Sequence, residues 1–204
     1  MARPDALDAP ASEEAARRLF AAIRADDEGR VEAALRDGAS VDACWNSDGL
    51  TVLMSAILDG STRIAKLLLA RGADVHLRDA EGFTAVHTSA QTGNAEMVAA
   101  LAELGASVNT PKNDGATPAY IAAQNGHVEV LRVLAELGAN VNASKNDGAT
   151  PAYIAAMKGH AEVVRLLAEL GANVETPKND GCTPAYVAAA SAPWREGGAM
   201  PAPG

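Results

Sequence analysis

The chain has 204 residues, enough for one ordinary domain or slightly more, with 48% hydrophobic but only 3% aromatic residues. Its apolar content is mainly Ala, Leu and Val, which suits thin, close-packed helices better than a sheet sandwich or a barrel. A formal net charge of −9 and a pI near 4.9 argue against nucleic acid and against an anionic membrane surface as partners, since both draw on concentrated basic residues.

Residues 1–11 contain two prolines and no periodicity, and read as a disordered lead. They hold no apolar targeting core, and no run in the chain approaches membrane-spanning length, so an intracellular, cytoplasmic protein is expected, with a nuclear location open. Cys44 and Cys182 have no second Cys or His at ligand spacing, so neither metal nor cofactor is expected, and a disulfide between them is geometrically unfavourable. At Ser12-Glu13-Glu14 a hydroxyl cap and acids near the positive end of the dipole mark a helix start. Leu19, Phe20, Ile23, Val31, Ala34 and Leu35 then give two amphipathic stretches separated by Asp26–Gly29, which makes 12–43 a divergent, more charged capping unit.

From there the sequence recurs every 33 residues. Asp48-Gly49, Glu81-Gly82, Asp114-Gly115, Asp147-Gly148 and Asp180-Gly181 keep that interval, as do Gly72, Gly105, Gly138 and Gly171. A period of this size means one supersecondary unit stacked on copies of itself. The units fall at 44–76, 77–109, 110–142 and 143–175, followed by a shortened copy at 176–191 and a Gly/Pro-rich tail, 192–204, expected to be disordered.

The segment Asn109 to Val141 shows how a unit is built. Thr117 can cap a helix whose first turn holds Pro118, where the missing N–H costs nothing, and Gly126 ends it after Asn125. A second helix starts near His127 and runs to Leu137. Val130, Leu131, Val133, Leu134 and Leu137 recur at the spacing of one buried face. Gly138 suits the left-handed position after it, and the Asn/Asp/Gly-rich span to Gly148 is turn chemistry, a projecting loop or hairpin.

The run from Asp114 to Asn142, with its Asp-Gly, Thr-Pro, Ala-Ala, Gly-His and Gly-Ala-x-Val-Asn elements, resembles the ankyrin repeat, and the likeness covers about residues 15 to 191. It implies an all-α solenoid of helix-turn-helix units with hairpin loops projecting toward a concave face. It also implies a non-catalytic module for protein–protein interaction, binding a protein partner as a monomer; the alternative is a repeat segment of a larger regulatory or scaffold protein. Residues 109–141 and 142–174 differ at only seven aligned positions. Tyr120, Tyr153 and Tyr186 stand where the family commonly has a histidine, which His87 keeps, and Ala119, Ala152 and Ala185 replace the family's leucine. The larger ring beside a smaller neighbour conserves volume.

No catalytic constellation is present: the motifs of metalloproteases, serine hydrolases and phosphate-binding loops are missing. His127 and His160 occupy one repeat position and read as structural. Lys112, Lys145 and Lys178 form a ladder at the loop tips, either a stripe for a partner or, as favoured here, solvated tips neutralised by neighbouring aspartates, so that Lys145→Ala costs under about 0.5 kcal/mol. Family binding positions carry over to Asn113, Asp114, Gln124 and Asn125, to Asn146, Asp147, Met157 and Lys158, and in earlier units to Leu50, Phe83 and Gln91, with Ser47, Ala116 and Ala149 at matching places. Trp45 lies in a loop one residue longer than its equivalents. Trp45, Leu50 and Phe83 are either apolar anchors of an interface or local packing between hairpins. At the far end Ala192-Pro193-Trp194 stands where Gly-His should follow, leaving three readings open: Trp194 folds back on helix 162–170, the end frays, or the array continues beyond this chain.

Overall fold

The computed structural model describes the backbone of residues 9–45 and 48–191, and the side chains of 13–45 and 48–189. It forms two compact units, Met1–Thr88 and Ser89–Gly204, and is all-α apart from one short strand pair among the described residues. The expectations for residues 1–8 and for the tail 192–204, Trp194 included, lie outside the described residues.

In the first unit α1 (Ala9–Arg24) and α2 (Glu28–Arg36) form the divergent opening pair. Helix α1 begins at Ala9, inside the segment read as a lead and ahead of Ser12, so Ser12 does not open it. Leu19, Phe20 and Ile23 bury one face of α1, and Val31 and Ala34 bury one face of α2. Asp27 caps α2 by accepting a hydrogen bond from the Arg30 N–H at 3.0 Å. The longer loop that follows closes as an antiparallel pair, β1 (Cys44–Trp45) with β2 (Leu50–Thr51), with Trp45 opposite Leu50. Helices α3 (Val52–Leu58) and α4 (Thr62–Ala70) complete the next pair, and α3 packs on α1 as α4 does on α2.

Helix α5 (Ala85–Thr92) contains the division between the units. The second unit then holds α6 (Ala95–Glu103), α7 (Pro118–Asn125), α8 (Val128–Glu136), α9 (Pro151–Lys158), α10 (Ala161–Glu169) and α11 (Pro184–Ser191). First helices stack on first helices (α7, α9, α11) and second on second (α6, α8, α10). The two kinds bury differently, for a reason visible in composition. Helix α7 packs on both α8 and α9, Pro118 through Ala123 are all buried, and small residues dominate. Helix α8 has an outer face in water and buries only Val130, Leu131 and Leu134.

The Thr117 hydroxyl accepts from the Tyr120 N–H, Thr150 and Thr183 repeat the cap for Tyr153 and Tyr186, and Gly138 takes the left-handed conformation at φ +81°. Leu137 corrects the periodicity. It is 40% exposed, and Leu104 and Leu170 at the same repeat position are exposed too. These leucines occupy the C-cap, one residue past the last helical turn. A helical stripe predicts burial only while a neighbouring helix lies alongside.

Candidate protein-interaction surface

Each loop tip of the second unit first closes on itself. The Lys112 N–H donates to Ala116 O at 2.9 Å, the Gly115 N–H to Lys112 O at 3.0 Å, and the Ala116 N–H to the Asp114 carboxylate at 3.1 Å. The same bonds recur around Lys145–Ala149 and Lys178–Cys182. Successive tips are then tied to one another. The Asn146 N–H donates to Asp114 O at 3.0 Å, and its side-chain amide to Asn113 O at 3.3 Å. Asn179 repeats both bonds onto Asp147 O and Asn146 O.

Ion pairs follow the same direction. Lys145 Nζ lies 3.0 Å from the Asp114 carboxylate and Lys178 Nζ 3.4 Å from that of Asp147. The lysine ladder is thus neither a free stripe nor a set of tips neutralised only within themselves. Lys112 and Lys178 do pair within their own tips, with Asp114 at 3.5 Å and Asp180 at 3.6 Å, but at Lys145 and Lys178 the ladder is also an inter-repeat staple. Lys145 is half-buried and its ammonium lies 5.5 Å from the Tyr120 ring centroid. A cation held over a ring and paired to a carboxylate is worth more than a solvated lysine. Lys145→Ala is therefore expected to cost about 1 kcal/mol in denaturant unfolding, above the sequence-based figure, and a loss too small to measure would contradict the staple.

These contacts set the titration of the tips. Burial pushes Asp114 up, but the Lys145 hydrogen bond, the Ala116 N–H and the charges of Lys112 and Lys145 outweigh it and hold the carboxyl below its usual value. Asp147 is lowered first by the Ala149 N–H, against opposing burial, and further by Lys178. With folded values below the unfolded ones, both groups stabilise the fold at neutral pH. That contribution is complete above the unfolded aspartate pKa of about 4 and is lost as pH falls through the folded values. A variant with Asp114→Asn and Asp147→Asn should be less stable at pH 7 and show a flatter stability profile across that acidic window. An unchanged profile would mean the two carboxylates are not engaged. The Tyr120 phenol, pushed up to about 12 by burial and then by Asp147 and Asp114, stays neutral throughout.

The histidines act between repeats as well. His127 Nε2 lies 3.0 Å from Gln91 O, and His160 Nε2 3.1 Å from Gln124 O. Neither side chain caps the helix it precedes. In the first unit His87 is fully buried, and its Nδ1 accepts from the Thr84 N–H at 3.2 Å. An acceptor Nδ1 places the ring proton of a neutral imidazole on Nε2. Tyr120 and Tyr153 are 6% exposed beside buried Ala119 and Ala152, so the larger ring does fill the space next to a small neighbour.

The binding positions inferred from sequence divide by environment. Gln91, Asn113, Asn125, Asn146, Asp147 and Lys158 are exposed, while Asp114, Gln124 and Met157 are half-buried. Ala116 and Ala149 are buried and leave the surface set, because the loop turns them under the tip. Ser47 lies outside the described residues. In the first unit Leu50 and Phe83 are half-buried, and their loops are tied by the Ala80 N–H donating to Asp48 O at 2.7 Å. Phe83 meets the His87 ring edge-on at a centroid distance of 5.7 Å. Trp45 packs its ring 4.9 Å from Phe20, with the Arg24 guanidinium 5.1 Å from its centroid, so one face of the indole is committed to α1. Sequence reasoning named the tip residues but missed Asn179 and the direction of the lysine pairs. The recurring Lys-Asn-Asp at 112–114, 145–147 and 178–180 was the available signal.

Among the described residues no helix is long and apolar enough to cross a membrane. A comparison with curated proteins returns no match. Family models described as ankyrin repeats match residues 35–88 (many copies), 64–145 (three copies) and 125–168 (many copies), and such repeats generally serve protein–protein interaction. Joined to the 33-residue period and the stacked helical pairs, these matches place the chain in the ankyrin repeat family.

Proposed function

We propose that this chain is a non-catalytic protein-interaction module, whose second unit offers a partner a row of loop tips fixed before the partner arrives. The supporting observation is the tip-to-tip bonding of Asn146 to Asp114 and Asn179 to Asp147, with Lys145 and Lys178 pairing across the same steps. Ordering interface groups on association costs free energy, and groups already held by backbone hydrogen bonds contribute less to that cost. Asn113 and Asn146 supply polar contacts along this row, and Asn125 and Lys158 supply them at the ends of α7 and α9. In the first unit the apolar anchors are Leu50 and Phe83, with the remaining edge of Trp45.

The test is capture of a partner by the full chain, followed by calorimetric titration of that protein. A variant carrying Asn125→Ala and Lys158→Ala should weaken binding by about tenfold while its melting temperature stays within a few degrees. Phe83→Ala should cost more than about 1 kcal/mol of affinity with helicity intact. Unchanged affinity in all these variants would contradict the assigned surface, and unchanged affinity with a lowered melting point would give Phe83 to the fold alone.

A further inference from the structure

Within the second unit the last helical pair presents a groove whose counterpart one repeat earlier is filled, and the structure displays what fills it. One repeat in from the end, Leu131, Ala152 and Ala155 are no more than 1% exposed, and helix α10 packs against both α8 and α9 there. Their equivalents 33 residues on are Val164, Ala185 and Ala188. Val164 is half-buried and the two alanines are exposed. Together with Ala156, Gly159 and Ala161 they line an apolar groove of about 330 Å³ between α10 and α11.

A second observation points to the same occupant. A Cβ built on Gly93 would fall 2.8 Å from the His127 ring, and one on Gly126 would fall 2.9 Å from the His160 ring, because each imidazole lies over the glycine of the preceding repeat. Among the described residues Gly159, the next in the series, has nothing within 4 Å of that position. The groove and the open glycine adjoin one another at the ends of α9 and α11, as the groove and the covered glycine do one repeat earlier.

We propose that this face docks an amphipathic helix of another protein, led by a histidine and carrying branched aliphatic residues in the pattern of α10. In α10 the inserted side chains are Val163, Leu166 and Leu167, and His160 precedes the helix. The docked helix would lay its aliphatic stripe against Val164, Ala185 and Ala188. Its histidine ring would cover Gly159, with a nitrogen directed at the carbonyl of Met157, the counterpart of Gln124. This is helix-in-groove recognition, on a different surface from the loop tips, so it stands or falls separately from the function proposed for them.

The probe is a fluorescein-labelled peptide with the sequence of residues 159–171, titrated with the full chain by fluorescence anisotropy. Saturable binding is expected, weakened about tenfold or more by Val164→Glu in the protein, because the docked helix would bury an unpaired carboxylate. Ala188→Glu on α11 should do the same, and far-UV circular dichroism confirms that each variant remains folded. A peptide with alanine in place of its histidine should also bind less tightly. No saturable binding, or binding indifferent to both glutamates, would overturn the proposal. So would binding that appears only in a Trp194→Ser variant, since the chain's own last residues would then be the occupant. Self-association of the chain abolished by Val164→Glu would likewise overturn it in favour of a second copy.

Discussion

Leu134→Ala should lower the unfolding free energy by about 2–5 kcal/mol, the range for deleting a fully buried leucine side chain. Leu134 is 0% exposed on α8, a helix in contact with α6, α7 and α10. Because Leu134 is fully buried on a helix packed by three others, the site has little room to collapse onto the missing atoms, and the cavity adds to the lost transfer free energy. Leu167, at the same position on α10 and also 0% exposed, should behave alike. Leu137 provides the contrast, since helical spacing alone assigns it to the same stripe but the structure leaves it 40% exposed. Leu137→Ala should cost under about 1 kcal/mol. Urea unfolding followed by circular dichroism compares the three variants. Equal costs for Leu134 and Leu137 would mean that the facing of α8 is wrong.

The second large effect separates backbone strain from contact between repeats. Gly126 and Gly159 end equivalent helices with nearly the same left-handed geometry, φ +79° and φ +77°. Alanine at either position meets the steric cost of that conformation, about 1 kcal/mol. Only at Gly126 does the new methyl also run into the His160 ring, whose Nε2 is bonded to Gln124 O. Gly126→Ala must displace the imidazole and loosen that hydrogen bond, so it should cost about 2–4 kcal/mol in total. Gly159→Ala should stay near about 1 kcal/mol. If the two variants unfold at the same denaturant concentration, the histidine tie contributes nothing to stability.

How far the sequence anticipated this is best judged from individual residues. Repetition made the helical pairs legible: Thr117, Pro118 and Gly126 delimit α7 to the residue, and Gly138 takes its expected conformation. The start of α1 was not legible, because Pro10 argues for a break while proline is tolerated in a first helical turn. Leu137 misled because hydrophobic spacing carries no information about where neighbouring helices end. The surface was harder still. Asn146 and Asp147 carry over from the family as binding positions and both are exposed, yet Asn146 also donates to Asp114 O and Asn113 O in the preceding repeat. Backbone bonds between residues 32 apart and side-chain bonds between residues 33 apart depend on the rise and rotation per repeat, which no single unit encodes. Trp45 shows the same limit, since its contact with Phe20 depends on how the longer loop folds back.

Amide hydrogen exchange at Asn146 and Asn179 in the free protein bears most directly on the claim that the loop tips are fixed in advance. Both residues sit at exposed tips, yet their N–H groups are bonded to Asp114 O at 3.0 Å and Asp147 O at 3.1 Å. The account predicts that the two amides exchange well below the rate of an unstructured chain, with protection reduced in Lys145→Ala for Asn146 and little changed for Asn179. Exchange at the unprotected rate with no partner present would contradict it, because the row would then be ordered only on binding.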